Sequence, residues 1–297
     1  MAKRQARWSL RRARVLMGTK FLLIAGLVGY VVVAWLAELI VGLHHPVNLG
    51  PLLAGVFAGI PAVLWLAFFY LMDRHEPEPK QLVAGVAVLG ALVAAPLADF
   101  VQYQAVPPVG LELHGLGSLS LDRIIYAVFV VGLAQEVCKY AVVRYTIYTS
   151  REFDEPMDGI VYMMACGTGF AIWVNYHRLS GQAHSVILST AAAQAVVTTL
   201  AHASFAGFLG YVMGRAKFSQ RPPFLRSLLL FFGLVGAAVL NGQFLIVENA
   251  VIQSGLALHP WRGVFYAAIC AAVVFAIIWY FSQRLLAKSP FKAKETP

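Results

Sequence analysis

Residues 119–148 read LSLDRIIYAVFVVGLAQEVCKYAVVRYTIY, an apolar stretch with Glu136 and Lys139 near its middle. The spacing of three residues puts both side chains on one face of a helix, where a carboxylate and an ammonium can pair. Each such group costs about 2.5 to 3.5 kcal/mol at the centre of a membrane-spanning helix, even on the mildest insertion scale. Charged groups stay at that depth when they pair, line a water-filled cavity or take part in chemistry. The stretch therefore predicts a transmembrane helix that carries a functional site.

The composition of the whole chain indicates a polytopic membrane protein. Of its 297 residues, 60% are apolar and 12% are charged, whereas soluble domains average about 45 to 50% and about 25%. Apolar windows of about 19 residues give eight spans, near residues 20–43, 51–72, 81–102, 119–149, 157–178, 185–214, 225–250 and 262–283. We therefore predict an all-α membrane helical bundle of about eight transmembrane helices, forming one domain over residues 20–283.

The net charge of +9 is explained by membrane topology. With the N-terminus in the cytoplasm, every Lys and Arg falls on the cytoplasmic side except Arg123, Lys139, Arg178 and Arg262, which agrees with the positive-inside rule. We predict that both termini are cytoplasmic. Residues 1–19 form a basic tail that can lie on the membrane as an interfacial helix, and residues 284–297 form a second basic tail. Anionic lipid is the partner expected for these charges, and nucleic acid is not.

Three polar residues of different spans are predicted to lie at one depth. At about 1.5 Å per helical residue, Glu136, His202 and Asn241 lie about 18 to 23 Å from the inner ends of their spans. Asn175 can approach this layer from the outer side. A carboxylate and an imidazole that face a water molecule can perform general acid–base chemistry. The alternative is structural: an intramembrane His or Asn often bonds a neighbouring helix, worth about 0.6 kcal/mol, and Glu136 with Lys139 can be a structural ion pair.

Several motifs then resemble one family. The run Gln135-Glu136-Val137-Cys138-Lys139 is similar to the Glu-Glu-x-x-Lys motif of PrsW-type intramembrane proteases, bacterial relatives of the CAAX prenyl endopeptidases. Further similar segments follow the order and spacing of that family: the acidic Pro-rich loop 73–79, the turn 151–162, Gly167-Thr168-Gly169-Phe170-Ala171 and His202-Ala203-Ser204-Phe205-Ala206-Gly207. The resemblance covers about residues 65–250 and implies an intramembrane peptidase in a bacterial inner membrane.

The chain departs from the family at three positions. Gln135 replaces the first Glu of the motif, Val174 stands where a Glu is usual, and Asn241 stands where a His is common. Glu136, Lys139 and His202 are retained. Two protein ligands, Glu136 and His202, fall short of the three normal for catalytic zinc. We therefore expect no metal and no other cofactor.

These observations lead to three hypotheses. The resemblance implies a peptidase in which Glu136 is the base, His202 is a second acid–base group or oxyanion donor, and Lys139 holds Glu136. Gln135, Asn175 and Asn241 would support binding, and the substrate would be a single-span membrane protein, similar by analogy to an anti-sigma factor. The second hypothesis is a catalytically inactive pseudoprotease that binds transmembrane segments as a sensor, chaperone or complex subunit. The third is a small transporter or a cofactor-binding subunit in which His202 ligates a haem-like group.

Overall fold

The computed structural model describes residues 2–41, 49–73, 77–105, 121–180, 187–253 and 260–287. Within these ranges the protein is a bundle of eight helices without a β-strand, each with a segment long and apolar enough to cross a membrane. The helices are α1 (Ala2–Val41), α2 (Pro51–Tyr70), α3 (Lys80–Leu89, Gly90–Ala94 and Ala95–Ala105), α4 (Leu121–Ile125, Tyr126–Gly132 and Leu133–Thr146), α5 (Pro156–Ser180), α6 (Leu188–Lys217), α7 (Pro223–Gln253) and α8 (Pro260–Leu286). The prediction of an all-α, multi-pass membrane protein is confirmed.

Proline marks the start of four of these helices. Pro51, Pro156, Pro223 and Pro260 are the first residues of α2, α5, α7 and α8. At this position the missing N–H has no partner to lose, and the fixed φ of proline already suits a helix. The acidic Pro-rich loop likewise separates α2 from α3, as its two prolines predict.

Residues 2–19 are part of the long helix α1 and do not form a separate element. The predicted span begins near residue 20, and helix α1 extends beyond it toward the N-terminus. The placement of this basic segment on a membrane surface, and the cytoplasmic location of both termini, stay predictions.

Helices α5 and α6 form the centre of the bundle. In their most apolar windows 83% and 78% of the residues are buried inside the protein, against 11% in α1 and 17% in α8. Small residues make this central contact close, because a Cβ on Gly159 would overlap the Gly210 carbonyl oxygen and a Cβ on Gly210 would overlap the Gly159 carbonyl oxygen. Such contacts between small residues drive helix association in membranes.

Two π-helical stretches interrupt α3 and α4. Gly90–Ala94 packs against α5, and a Cβ on Gly90 would overlap the Cys166 carbonyl oxygen. Tyr126–Gly132 packs against α7 in the same way and ends immediately before the turn that carries Gln135 and Glu136. A π-turn holds more residues per turn than an α-turn, so it rotates the following side chains, and such turns occur often at functional sites. Neither interruption is predicted by the pattern of apolar residues.

We predict that Gly169→Ala destabilises the protein. A Cβ at this position of α5 would overlap the Ala87 carbonyl oxygen of α3, so the two backbones would have to separate. Overpacking of this kind typically costs about 1 to 3 kcal/mol. The measurement is the midpoint of thermal unfolding in detergent.

Gly59→Ala is the matched control, because a Cβ at Gly59 of α2 meets no atom within 4 Å. It should leave the midpoint unchanged or raise it, since alanine favours a helix over glycine by about 1 kcal/mol. Equal midpoints for the two variants would contradict the close α3–α5 contact.

Candidate active site

Glu136 and Lys139 lie on α4 directly after its π-helical stretch. Both side chains are completely buried, and Lys139 Nζ lies 2.7 Å from Glu136 Oε1. This hydrogen-bonded ion pair is the one predicted from the spacing of the two residues. It keeps a carboxylate and an ammonium together at a depth where neither is stable alone.

His202 of α6 completes this pair from the other side. Its ring is buried, and its Nδ1 atom lies 3.2 Å from Lys139 Nζ. The ammonium is therefore within hydrogen-bond distance of both the carboxylate and the imidazole. Lys139, Glu136 and His202 thus form one connected group, which we call the central triad.

An aromatic ring of α5 supports the triad. Lys139 Nζ lies 4.5 Å from the centroid of the Phe170 ring, and the Phe170 and His202 rings are 5.2 Å apart. A cation over an aromatic face is attracted by the ring quadrupole, more strongly where water is excluded. This contact of Phe170 was not predictable from the sequence, because an apolar residue in an apolar helix carries no distinguishing signal.

The hydrogen bonds assign the tautomer of His202. An ammonium has only hydrogens to donate, so the Nδ1 atom that faces Lys139 must accept. A neutral imidazole whose Nδ1 accepts carries its hydrogen on Nε2. His202 can therefore offer an N–H group from Nε2 to another molecule.

Asn241 of α7 binds the same carboxylate oxygen of Glu136 as Lys139 does. Its Nδ2 atom donates to Glu136 Oε1 at 2.8 Å and is 3.0 Å from Gln135 Oε1. Glu136 Oε1 thus receives hydrogen bonds from both Lys139 and Asn241. Glu136 Oε2 is buried and has no hydrogen-bond partner among the described residues, so it keeps its capacity to accept a proton.

Asn175 lies apart from the triad. Its side chain is buried, and Nδ2 contacts the Ala195 carbonyl oxygen and Thr199 Oγ1 of α6, both at 3.3 Å. These partners lie at least three residues before His202 along α6. The structure therefore brings together Glu136, Lys139, His202, Gln135 and Asn241, and it gives Asn175 a contact between helices instead. The catalytic and binding roles of these residues stay predictions.

A second group of buried acids, Asp73, Glu78, Glu155 and Asp158, lies where the loops join α2, α3 and α5, and we call it the loop-side acid group. Oxygen atoms of Asp73, Glu155 and Asp158 lie within 4.8 Å of one another. Asp158 Oδ2 accepts the backbone N–H groups of Asp154 and Glu155, both at 2.7 Å, and so caps the start of α5. In the same region the Tyr162 hydroxyl donates to Glu78 Oε2. The hydrogen bonds indicate that this group fixes the loops to α5.

The fold and the triad define a class: a polytopic membrane protein with a carboxylate, an ammonium and an imidazole joined inside its helical bundle. Residues 78–279 match the family described as PrsW family intramembrane metalloprotease. The chain belongs to this family, as the motifs predicted.

Curated relatives agree with this assignment. The protease PrsW of Geobacillus kaustophilus is 34% identical over 168 residues, which cover 56% of this chain and 68% of the relative. The protease PrsW of Bacillus subtilis is 29% identical over 197 residues, 66% of this chain and 83% of the relative. The protease PrsW of Oceanobacillus iheyensis is 34% identical over 164 residues, 54% of this chain and 68% of the relative. No solved structure matches the chain.

The family description implies a metal ion, and the donor atoms of the central triad do not fit one. Glu136 and His202 supply two ligands, whereas catalytic zinc normally takes three from the protein. Among the described residues, three His, Cys, Asp or Glu side chains converge only in the loop-side acid group, which does not include the triad. Lys139 also places a positive charge within hydrogen-bond distance of both donors.

We predict that Lys139→Met destabilises the protein more than the double variant Lys139→Met/Glu136→Gln does. The single variant leaves the Glu136 carboxylate buried without a counter-charge, and removal of one partner of a buried pair costs about 3 to 5 kcal/mol. The double variant removes both charges. Unfolding of the four proteins of this cycle in SDS titrations measures the coupling, and additive effects would contradict the ion pair.

We also predict that the stability of the loop-side acid group depends on pH. Burial raises the pKa of Glu78 to about 7, although hydrogen bonding opposes the shift, and Asp73 and Asp154 raise it further. A raised carboxyl pKa means that the folded state binds the proton more tightly than the unfolded state does. The contribution of Glu78 is therefore greatest below its ordinary pKa of about 4.5 and falls as the pH rises to 7. One pKa unit corresponds to about 1.4 kcal/mol.

The measurement is thermal unfolding in detergent between pH 4.5 and 7.5. Glu78→Gln should flatten the dependence, because glutamine does not titrate. Glu152→Gln is the matched control, since Glu152 is exposed on the neighbouring loop, and it should keep the dependence. An unchanged slope in Glu78→Gln would contradict the assignment.

Proposed function

We propose that the chain hydrolyses a peptide bond of a membrane-spanning protein, with Glu136 as the general base and His202 as the polarising donor. The observation that carries the proposal is the central triad itself. It joins a carboxylate with one unbonded oxygen, through the Lys139 ammonium, to an imidazole whose Nδ1 atom faces that ammonium. Membership of a family of intramembrane proteases supports a peptidase over an unrelated use of the same groups.

The chemistry follows from the two side chains. Glu136 Oε2 takes a proton from a water molecule, and the water oxygen attacks the carbonyl carbon of the peptide bond. The His202 Nε2–H donates to the carbonyl oxygen as negative charge develops there. Glu136 then returns the proton to the leaving nitrogen as the C–N bond breaks, giving a carboxylic acid and an amine.

Lys139 keeps Glu136 ready for this role. An ammonium at 2.7 Å stabilises the ionised carboxylate, which is the form that can act as a base. Asn241 binds the same oxygen as Lys139, so the two residues leave Oε2 for the water. General-base catalysis of this kind contributes about 10² to 10⁴ in rate.

The substrate must enter an apolar interior. Glu136 and Lys139 have no exposed surface, and His202 is 4% exposed. Gln135, which shares Asn241 with Glu136, is only half-buried and is the member of this group nearest the protein surface. A membrane-spanning segment of a single-span protein has the apolar chemistry to approach from this side, and its entry must displace the contacts that close the site. An anti-sigma-factor-like protein is one such substrate.

The second candidate function is a pseudoprotease that binds transmembrane segments without cleaving them. One observation favours it: the triad is closed, and both Glu136 Oε1 and His202 Nδ1 already face Lys139. A protein in which the triad stayed closed could bind a transmembrane segment without cleaving it.

We predict that Glu136→Gln abolishes cleavage. The purified membranes of a host that produces the wild-type chain should contain peptide termini that are absent when Glu136→Gln is produced at the same level. The loss should be about 10² to 10⁴-fold, since glutamine cannot take the proton. Quantitative mass spectrometry of protein termini measures the difference.

Glu38→Gln is the matched control. Glu38 is a carboxylate on α1 that accepts the Ser189 backbone N–H and has no contact with the triad. This variant should keep the wild-type set of termini. If wild type and Glu136→Gln give identical termini, the peptidase proposal fails, and capture of intact single-span proteins by both would support the pseudoprotease.

A further inference from the structure

The centre of the triad is already occupied by a positive charge. Lys139 Nζ is hydrogen-bonded to Glu136 Oε1 at 2.7 Å and lies 3.2 Å from His202 Nδ1. These two atoms are the carboxylate and imidazole donors that a zinc ion would use. A divalent cation placed between them would meet the ammonium at close range and be repelled by it.

The ammonium is held firmly in this position. The Lys139 side chain is completely buried, and the Phe170 ring lies 4.5 Å from Nζ. To admit a metal ion, Lys139 would have to lose its proton or move its long side chain out of a packed interior. Loss of the proton would remove the charge that pairs with Glu136, and movement of the side chain would break the hydrogen bond to it.

Among the described residues, the remaining contacts of Glu136 add side-chain amides and no further His, Cys, Asp or Glu ligand. Asn241 presents Nδ2 to Glu136 Oε1 at 2.8 Å, and an amide nitrogen that donates has no lone pair for a metal. The Cys166 thiol donates to the Lys139 backbone carbonyl oxygen and not to a side chain of the triad. Glu136 and His202 therefore stay the two ligating side chains of the triad.

We infer that the Lys139 ammonium takes the place of a metal ion in this chain and that its site is independent of metal. This inference disagrees with the description of the family as metalloproteases. It concerns the cation at the centre of the site, so it holds for an active peptidase and for an inactive one alike.

The geometry also shows how the site could be converted. The Nδ1 atom of a histidine occupies the same branch position on the side chain as Nδ2 of an asparagine. Asn241→His would therefore place a third metal-ligating atom beside the carboxylate of Glu136. Lys139→Met would remove the competing charge and keep a side chain of similar length.

The test measures metal binding to the purified full-length protein in detergent. Wild type is expected to contain no stoichiometric zinc, to give no visible d–d absorption when Co²⁺ is added, and to show no shift in unfolding temperature with Zn²⁺ or a chelator. Lys139→Met/Asn241→His is expected to bind one Co²⁺ per chain with the absorption of a tetrahedral site. The single variants are the controls. Lys139→Met lacks the third ligand, and Asn241→His keeps the Lys139 ammonium at the centre, so neither should bind Co²⁺.

Two results would overturn the inference. The first is wild-type protein that holds one tightly bound ion per chain, released by chelator and lost in Glu136→Gln or His202→Ala. The second is a double variant that elutes as a folded protein in size-exclusion chromatography yet binds no Co²⁺. That result would mean that the Lys139 ammonium does not occupy a position suited to a metal ion. Should the double variant fail to fold, the metal content and thermal shifts of wild type still decide the matter. Failure of the peptidase proposal would appear only in the analysis of peptide termini.

Discussion

The buried ion pair between Glu136 and Lys139 is the interaction on which the site depends. Both side chains are completely buried, and neither charge is stable there alone, so each fixes the other. Three surrounding helices supply the other contacts of the pair: His202 from α6, the Phe170 ring from α5 and Asn241 from α7. Four helices thus converge on one connected group of side chains.

The close packing of the helices positions the side chains of this group. Glycines allow close approach between α5 and α6, so that Phe170 and His202 lie side by side beneath Lys139. A Cβ on Gly167, one turn from Phe170, would overlap the carbonyl oxygen of His202 itself. The π-helical stretch of α4 lies against α7, where Gly132 meets the carbonyl oxygen of Ala238. The contact between helices that places Asn241 on Glu136 is therefore made by backbone as well as by side chains.

Much of the fold was predictable, because eight apolar runs and proline at helix starts are strong one-dimensional signals. The Glu136–Lys139 contact was predictable from spacing, and the depth of His202 placed it in the same layer. The contacts of Asn241 with Gln135 and of Phe170 with Lys139 were not, since they depend on the rotation of helices whose faces are almost uniformly apolar. The estimated depth predicted Asn175 near the site, but its hydrogen-bond partners, Ala195 and Thr199, precede His202 on α6. The π-helical stretches had no signal in composition.

The most direct test is the tautomer of His202 in the membrane-embedded protein. Nitrogen NMR of ¹⁵N-histidine-labelled wild type, with His202→Ala used to assign the signal, distinguishes a protonated from a bare ring nitrogen. A triad centred on the Lys139 ammonium requires neutral His202 with hydrogen on Nε2 and a bare Nδ1 that accepts. A hydrogen on Nδ1, in either the neutral ring or the imidazolium, would contradict it, because that atom could not accept from Lys139.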